Sequence, residues 1–338
     1  MRKGVVSILT PAYNGEGLIH RLLDSVLRQT YPHVAMVVVN DGSTDRTEDV
    51  VKSYIPKFEA RGYSLSIHNQ PNGGQSNAIN NGLKLVDGEY LVWPDCDDWY
   101  ATDDAIAKLV ARLAQYGDDV GVSRCAYNWV SEGDFKIICT HYPCMGEEPE
   151  YVFENSVLGK PHFWFAPGGW MLKAKFLDEL IPGREIYQNK SAGQNAQLLW
   201  PYLFAKKCVS VEEPMFNYQI RESSHSHGMA DTVEKKLMQQ ETYYKTYTAV
   251  LNSINGLDSK KKEKLLAMLR FDVCNCCINI IIGSGDFKKF RSYNNELHDL
   301  EKSGLIEADI RLKRKVKLAL ASVPVLRRVI GCRVRFHK

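Results

Sequence analysis

The first 130 residues alternate short apolar runs with stretches whose apolar residues recur at helical spacing, a pattern that predicts a mainly parallel sheet covered by helices. Val5 to Leu9 reads as a first strand. Glu16 to Gln29 follows as a helix with Leu18, Leu22, Leu23, Val26 and Leu27 on one face, then Val34 to Val39 as a strand buried on both sides. After the polar turn Asn40 to Thr44, Asp45 and Glu48 have the spacing of a capping box, opening a helix that carries Val50, Val51, Tyr54 and Phe58. Tyr63 to Ile67 is a short strand, Asn69 to Gly74 a polar loop, and Gln75 to Val86 a helix. The run Tyr90-Leu91-Val92-Trp93-Pro94 is a further buried strand, and it delivers Asp95-Cys96-Asp97-Asp98 at its C-terminal end. Open α/β sheets bind their ligands at that end, and each polar loop of this stretch leaves from it.

From about Val120 to Tyr218 the pattern is mixed, with hairpin-like pieces, the loop Pro167-Gly168-Gly169-Trp170 and a helix expected from Asn195 to Lys206. After Ser223 the chain reads as helical, through Val233 to Ile254, Lys260 to Ile282 and Phe287 to Lys302. The expected organisation is a nucleotide-type α/β domain over residues 1–225, with a donor half of about 1–120 and an acceptor half of about 121–225. A helical C-terminal region over 226–338 completes it.

Composition narrows the class. The 338 residues suffice for a substantial core, and nine scattered cysteines without paired metal spacing suit a reducing compartment better than a disulfide framework. Cys274, Cys276 and Cys277 lie in an apolar helical stretch, where small buried hydrophobes are the better reading than a metal site. The apolar stretch near the N-terminus is too short for a signal h-region, and no run approaches 18 apolar residues. Net charge is only +3, yet Ile310 to Lys338 holds ten Lys or Arg and no Asp or Glu. Residues 1–309 therefore carry 33 basic against 40 acidic residues, a net of −7.

Clustered carboxylates repel one another unless a cation lies among them, and Mg²⁺ commonly bridges one or two carboxylates to substrate phosphates. The acidic cluster therefore points to a metal-diphosphate site. The other reading, an acidic turn that starts the next helix, stands beside it for Asp98, Asp103 and Asp104. There is no Walker loop and no strand-linked G-x-G-x-x-G, so phosphate charge must be met by a metal or by basic side chains.

Three ordered segments carry a family resemblance: Ser7 to Asn14 (SILTPAYN), Val38 to Asp45 (VVNDGSTD), and Gly88-Glu89-Tyr90 through Asp95-Cys96-Asp97-Asp98-Trp99-Tyr100. Together they resemble the family 2 glycosyltransferases over roughly the first hundred residues. The resemblance implies a GT-A fold, with a doubly wound mixed sheet, a sugar-nucleotide donor and inversion at the anomeric carbon. It implies that Asp41 binds the nucleobase, with Pro11, Ala12, Tyr13 and Asn14 lining that pocket beside Gly42. The family's D-x-D motif falls on Asp95 and Asp97, which would hold Mg²⁺ or Mn²⁺ against the donor diphosphate and stabilise the charge of the departing nucleotide. Asn72, Gln75 and Asn80 lie in the segment after the third strand, as further donor contacts. For Gln75 and Asn77 helix N-capping is an equal reading. The family pattern often has Arg in this segment where this chain has Ile79.

The acceptor half departs from the pattern. Many relatives carry a Glu-Asp pair where this chain has Gln194 and Asn195, and an amide cannot accept a proton from a sugar hydroxyl. Another carboxylate, Glu185 or Asp98, is then the candidate base. Alternatively the acceptor is an ionised lipid phosphate, or the chain binds sugar nucleotides without turnover. Gln194 and Asn195 are acceptor-side positioning candidates. Trp170 offers a ring face for sugar stacking, or else is a buried Trp after an ordinary turn. In related transferases a segment like Arg221 to His227 lies near the diphosphate, making His225 a further metal-ligand candidate; a solvated loop is the alternative.

Lys313 to Lys317 followed by Leu318, Leu320, Val323, Val325, Leu326, Val329 and Ile330 suits a membrane-interface segment, or a helix packed on the body with a solvated basic face. No stacking-aromatic pattern accompanies the charge, so nucleic acid is not an expected partner. The sequence-based expectation is a cytoplasmic transferase, peripheral to the inner face of a membrane, acting on a glycan or lipid-linked glycan in cell-surface polysaccharide synthesis. A noncatalytic sugar-nucleotide-binding protein is the alternative, and a nucleotidyltransferase a third.

Overall fold

The structure, a computed structural model, describes residues 1–117, 120–143, 167–180, 184, 207–221, 232–253, 258–285 and 287–306. Two compact units divide the chain: Met1–Ser156 with Lys160–His227, and Val157–Gly159 with Gly228–Lys338.

The first unit is a mixed sheet covered by helices. Its elements are β1 (Arg2–Ala12), α1 (Ile19–Leu27), β2 (Val34–Asp41), α2 (Thr47–Ala60), β3 (Ser64–Gln70), α3 (Gln75–Leu83), β4 (Gly88–Val92), β5 (Trp99–Tyr100), α4 (Ala105–Ala114), β6 (Val120–Ser131), β7 (Ile137–His141), β8 (Trp170–Lys173), α5 (Ala174–Leu180) and β9 (Lys207–Ile220). The strand order is β3-β2-β1-β4-β8-β6-β9-β5, with β7 added to β6 as a hairpin partner. β2 is buried along its whole length, as its unbroken apolar run demands. α1 lays Leu22, Leu23 and Val26 against the sheet, and α2 adds Val51, Tyr54 and Phe58, all in one core. Burying each such side chain contributes about 1.5–3 kcal/mol.

Register places the functional edge. Ala12 pairs with Asn40 and Asp41 with Gln70, so β1, β2 and β3 end together, while β4 ends at Val92 opposite Ile8 and its following loop runs on toward the same edge. β8 is antiparallel to β4, β6 is antiparallel to β8, and β9 is parallel to β6. The C-terminal ends of β6 and β9 therefore reach the same edge as the loops after β1, β2, β3 and β4.

The capping box expected from Asp45 and Glu48 does not form. Asp45 Oδ1 accepts from Thr47 N and Oδ2 from Glu16 N, whereas Glu48 is drawn away to Asn69 Nδ2 and Lys52. The Glu48 side chain reaches an amide on β3 and an ammonium one turn along α2, and these partners win over the helix end.

The second unit contains α6 (Val233–Ser253), α7 (Ser259–Ser284) and α8 (Phe290–Lys302). Against the sequence expectation, α7 is long and apolar enough, by length and composition, to cross a membrane, although most of its apolar window is buried within the protein. Cys274 and Cys277 are buried on this helix and unpaired, in keeping with their reading as small hydrophobes.

Candidate functional site

The loops at the C-terminal edge are bonded to one another. Asn14, in the left-handed region at φ 48°, donates its N–H to Ser43 Oγ (3.0 Å), and its Oδ1 accepts from Thr44 N (2.8 Å). Pro11 and Ala12 are buried beneath, and Tyr13 is exposed at the rim. Asp41 is buried, with Oδ1 accepting from Gln70 Nε2 (2.7 Å) and Gly73 N (2.9 Å) and Oδ2 from Gly74 N (2.8 Å). Gly42 has φ +73°, and a Cβ on it would come within 2.7 Å of Asn72 N, so only glycine lets the two loops close. Asp41 thus organises the Asn72–Gly74 loop.

Neither Gln75 nor Asn77 caps α3, whose first turn follows Gly74 with no side-chain cap. Gln75 Nε2 instead donates to Asp95 Oδ1 (2.8 Å), tying that loop to the acidic cluster, and Asn77 Oδ1 accepts from Gln70 Nε2 (2.8 Å). Asn80 is only 2 % exposed, and the Ile79 side chain is buried.

Among the described residues, Asp95, Asp97 and Asp98 form a group whose ligand oxygens lie within 4.8 Å of one another. Each carboxylate is held differently. Asp97 Oδ2 receives both Nε (2.8 Å) and Nη2 (2.6 Å) of Arg221, the residue that follows β9. Asp98 is 1 % exposed; Oδ1 accepts from Gln219 N (2.9 Å), and Oδ2 is buried with no hydrogen-bond partner. Burial, then the charges of Asp97 and Asp95, push the Asp98 carboxyl well above the usual carboxylate range, against the opposing pull of Gln219 N–H and Arg221. Burial also pushes the Cys96 thiol far up, so it stays protonated between its acidic neighbours. An all-oxygen donor set with one orphaned buried oxygen fits a hard divalent cation such as Mg²⁺ or Mn²⁺.

Two of the sequence expectations change at this site. Asp98, a candidate base, has almost no surface on which to meet an acceptor hydroxyl; its carboxylate ties the acidic turn to β9. Trp170 is buried at 4 % exposure on β8 with its ring 6.2 Å from Trp93, so its face is turned into the core and not toward a sugar. Glu185, Gln194, Asn195 and His225 lie outside the described residues, as do the helix expected at 195–206 and the basic tail.

Arg21 escaped the sequence reading. From α1 it donates Nη2 to Gln219 Oε1 (2.9 Å), with its guanidinium 4.5 Å from the Phe135 ring and 5.4 Å from that of Trp99. Burial lowers its pKa and the charge of Asp97 opposes that. No local motif marks such a residue; the signal available was the need of three neighbouring carboxylates for cations.

A family model described as Glycosyl transferase family 2 matches residues 7–181. The glycosyltransferase GlyA of Streptococcus pneumoniae serotype 4 (strain ATCC BAA-334 / TIGR4) is 27 % identical over 250 residues, 69 % of this chain and 34 % of GlyA. The chain thus spans about a third of that relative's length. EpsH of Bacillus subtilis (strain 168), which carries a provisional glycosyltransferase name, is 26 % identical over 310 residues, 87 % of this chain and 83 % of EpsH. Among solved structures, Staphylococcus aureus TarS 1–349 in complex with UDP-GlcNAc matches with a TM-score of 0.63 at 19 % identity, over 88 % of this chain and 80 % of that one. The mannosyltransferase PcManGT from Pyrobaculum calidifontis, in complex with GDP-Man and Mn²⁺, matches at 0.56 and 15 %, over 97 % and 84 %. The shared architecture is the GT-A fold, with a helical region after it.

Proposed function

The chain belongs to glycosyl transferase family 2, and from that premise we propose that this glycosyltransferase moves one sugar, with inversion, from a nucleoside-diphosphate donor to a glycan or lipid-linked glycan. Asp95 and Asp97 hold a divalent cation in this reading, and the loops Pro11–Asn14, Asp41–Thr44 and Asn72–Gln75 hold the nucleotide. The observation that carries it is the bonding of these loops into one rim beside a cluster of three carboxylates. Likeness in fold to proteins complexed with UDP-GlcNAc and with GDP-Man and Mn²⁺ supports the same reading.

A cation bound at Asp95 and Asp97 supplies charge stabilisation to the leaving diphosphate. The chain's own part is to orient. Gln75 fixes one oxygen of Asp95, Gln219 N–H fixes Asp98, and Asp41 draws the Gly73–Gly74 backbone over the nucleotide rim. On the acceptor side Gln194 and Asn195 take no proton, so a hydroxyl acceptor gives its proton to another group, such as Glu185, or the acceptor arrives ionised as a lipid phosphate.

Asp97→Ala is expected to abolish Mn²⁺-dependent donor hydrolysis and transfer, read as nucleoside diphosphate released from a panel of sugar nucleotides. Full activity of that variant in the presence of chelator would falsify the metal reading. Running the panel with sugar hydroxyl and lipid phosphate acceptors separates the two acceptor chemistries.

A further inference from the structure

Two guanidinium groups feel the charge of Asp97, and they differ in how they are held: Arg221 is bonded to it, Arg21 to other groups. Arg21 is fixed on three sides, by Gln219 Oε1 and by the rings of Trp99 and Phe135. Arg221 stands one residue beyond the last rung of β9, part-exposed, and places Nε and Nη2 on the same oxygen of Asp97. That is a one-oxygen contact, without the two-oxygen fork that gives Arg–carboxylate pairs their strength. Burial pulls the Arg221 pKa down, and the Asp97 charge and hydrogen bond more than offset it.

We propose that Arg221 is an exchangeable counter-ion. In the ligand-free protein it neutralises Asp97; a divalent cation displaces it, and the released guanidinium then takes the diphosphate of the donor. The inference rests on the reading of Asp95 and Asp97 as cation ligands. Its physical basis is competition: with Arg221 on Oδ2 of Asp97, a divalent ion taking the same carboxylate lies beside a like charge, and the repulsion favours release of the guanidinium. Arg21 cannot be the one that leaves without giving up its hydrogen bond and both ring contacts. Arg221 can, and a planar guanidinium suits a phosphate as well as it suits a carboxylate. Before the cation arrives Arg221 balances the charge of Asp97, and the cation positive charge and the Arg221 charge are both present once the diphosphate binds.

The test compares Mn²⁺ binding to the full-length wild type, Arg221→Met and Arg221→Lys by calorimetry, without donor, after thermal melts establish that each is folded. Removing the competitor is expected to tighten Mn²⁺ binding by about tenfold, equivalent to about 1.4 kcal/mol, with the Lys variant between. With saturating Mn²⁺, whichever of UDP, GDP, CDP and dTDP binds the wild type is expected to lose about tenfold in affinity for Arg221→Met. Mn²⁺ affinity that is unchanged or weaker in a folded Arg221→Met protein overturns the proposal. A second measurement needs no variant: the Arg221 Nε–H resonance of the wild type, followed by NMR during Mg²⁺ addition, is expected to gain fast solvent exchange, and an unaltered resonance at saturation overturns the exchange. If the wild type and Arg221→Met both bind no Mn²⁺, the cation reading of Asp95 and Asp97 fails, and the counter-ion proposal with it. If both bind equally well, that reading survives and only the exchange fails.

Discussion

Gly168 shows how narrow the tolerances are behind the acidic cluster. A Cβ built there would lie 2.2 Å from Cζ of Phe216 and 2.7 Å from Cβ of Pro94, the residue that precedes Asp95. Phe216 also packs edge-on against Tyr100, just after the cluster, so it has little freedom to retreat. Gly168→Ala is therefore expected to lose about 1–3 kcal/mol of stability through overpacking. Urea unfolding checks it, and a midpoint equal to that of the wild type would show that Phe216 moves freely after all. At this scale the acceptors were legible and the donors were not. Asp95 and Asp97 stand two positions apart just after a strand end, so their proximity needs no tertiary information. Arg21 meets Gln219 across 198 positions, and nothing local to either residue announces the other.

At the scale of elements, α7 is the plainest case of a helix specified by its own ends. Asp258 Oδ1 accepts from Lys261 N at the start, and Gly285, left-handed at φ +77°, closes the end through its N–H to Ile281 O. Within it, Arg270 binds Glu241 of α6 and Glu296 of α8, so one cation joins three helices. Asp272 on the same helix has its carboxyl pushed up to about 7 by burial. The sign follows from linkage: the folded state holds this proton to higher pH than the unfolded chain, so stability falls as pH rises from the usual carboxylate range through about 7. Asp272→Asn, which stays neutral, is expected to match the wild type at pH ~3.5 and to exceed it by up to about 4 kcal/mol above pH ~8. Denaturant melts at the two pH values decide it; an equal difference at both would remove Asp272 as the cause. Helix periodicity made all three helices of this unit readable to within a few residues, because an apolar stripe and terminal caps are local properties. The Asp45–Glu48 capping box was misread for the opposite reason. Asn69 lies in the next strand, and the motif's spacing says nothing of it.

At the scale of the whole molecule, charge is unevenly distributed along the sequence. Residues 1–309 carry a net −7 and the last 29 residues ten positive side chains with no acidic ones. We propose that this tail holds the enzyme at an anionic membrane, each Lys or Arg near the surface contributing about 1 kcal/mol before screening. Full-length protein is then expected to sediment with phosphatidylserine vesicles at low salt and a chain ending at residue 309 to remain in the supernatant, with Mn²⁺ binding unchanged. Equal sedimentation of the two would place the contact elsewhere.

The sequence alone determined the order of strands and helices through the first hundred residues, the family they belong to and the carboxylates at the end of β4. These depend on periodicity and on neighbours within a few positions, which the chain states directly. Only the tertiary structure decided what those carboxylates face. β9 returns parallel to β6 and brings Gln219 and Arg221 to Asp98 and Asp97, α1 brings Arg21 alongside, and β8 turns Trp170 inward against Trp93. The reason is physical: a carboxylate's pairing, burial and accessibility are set by groups from 20 to 124 residues away, whose positions follow from sheet register and packing.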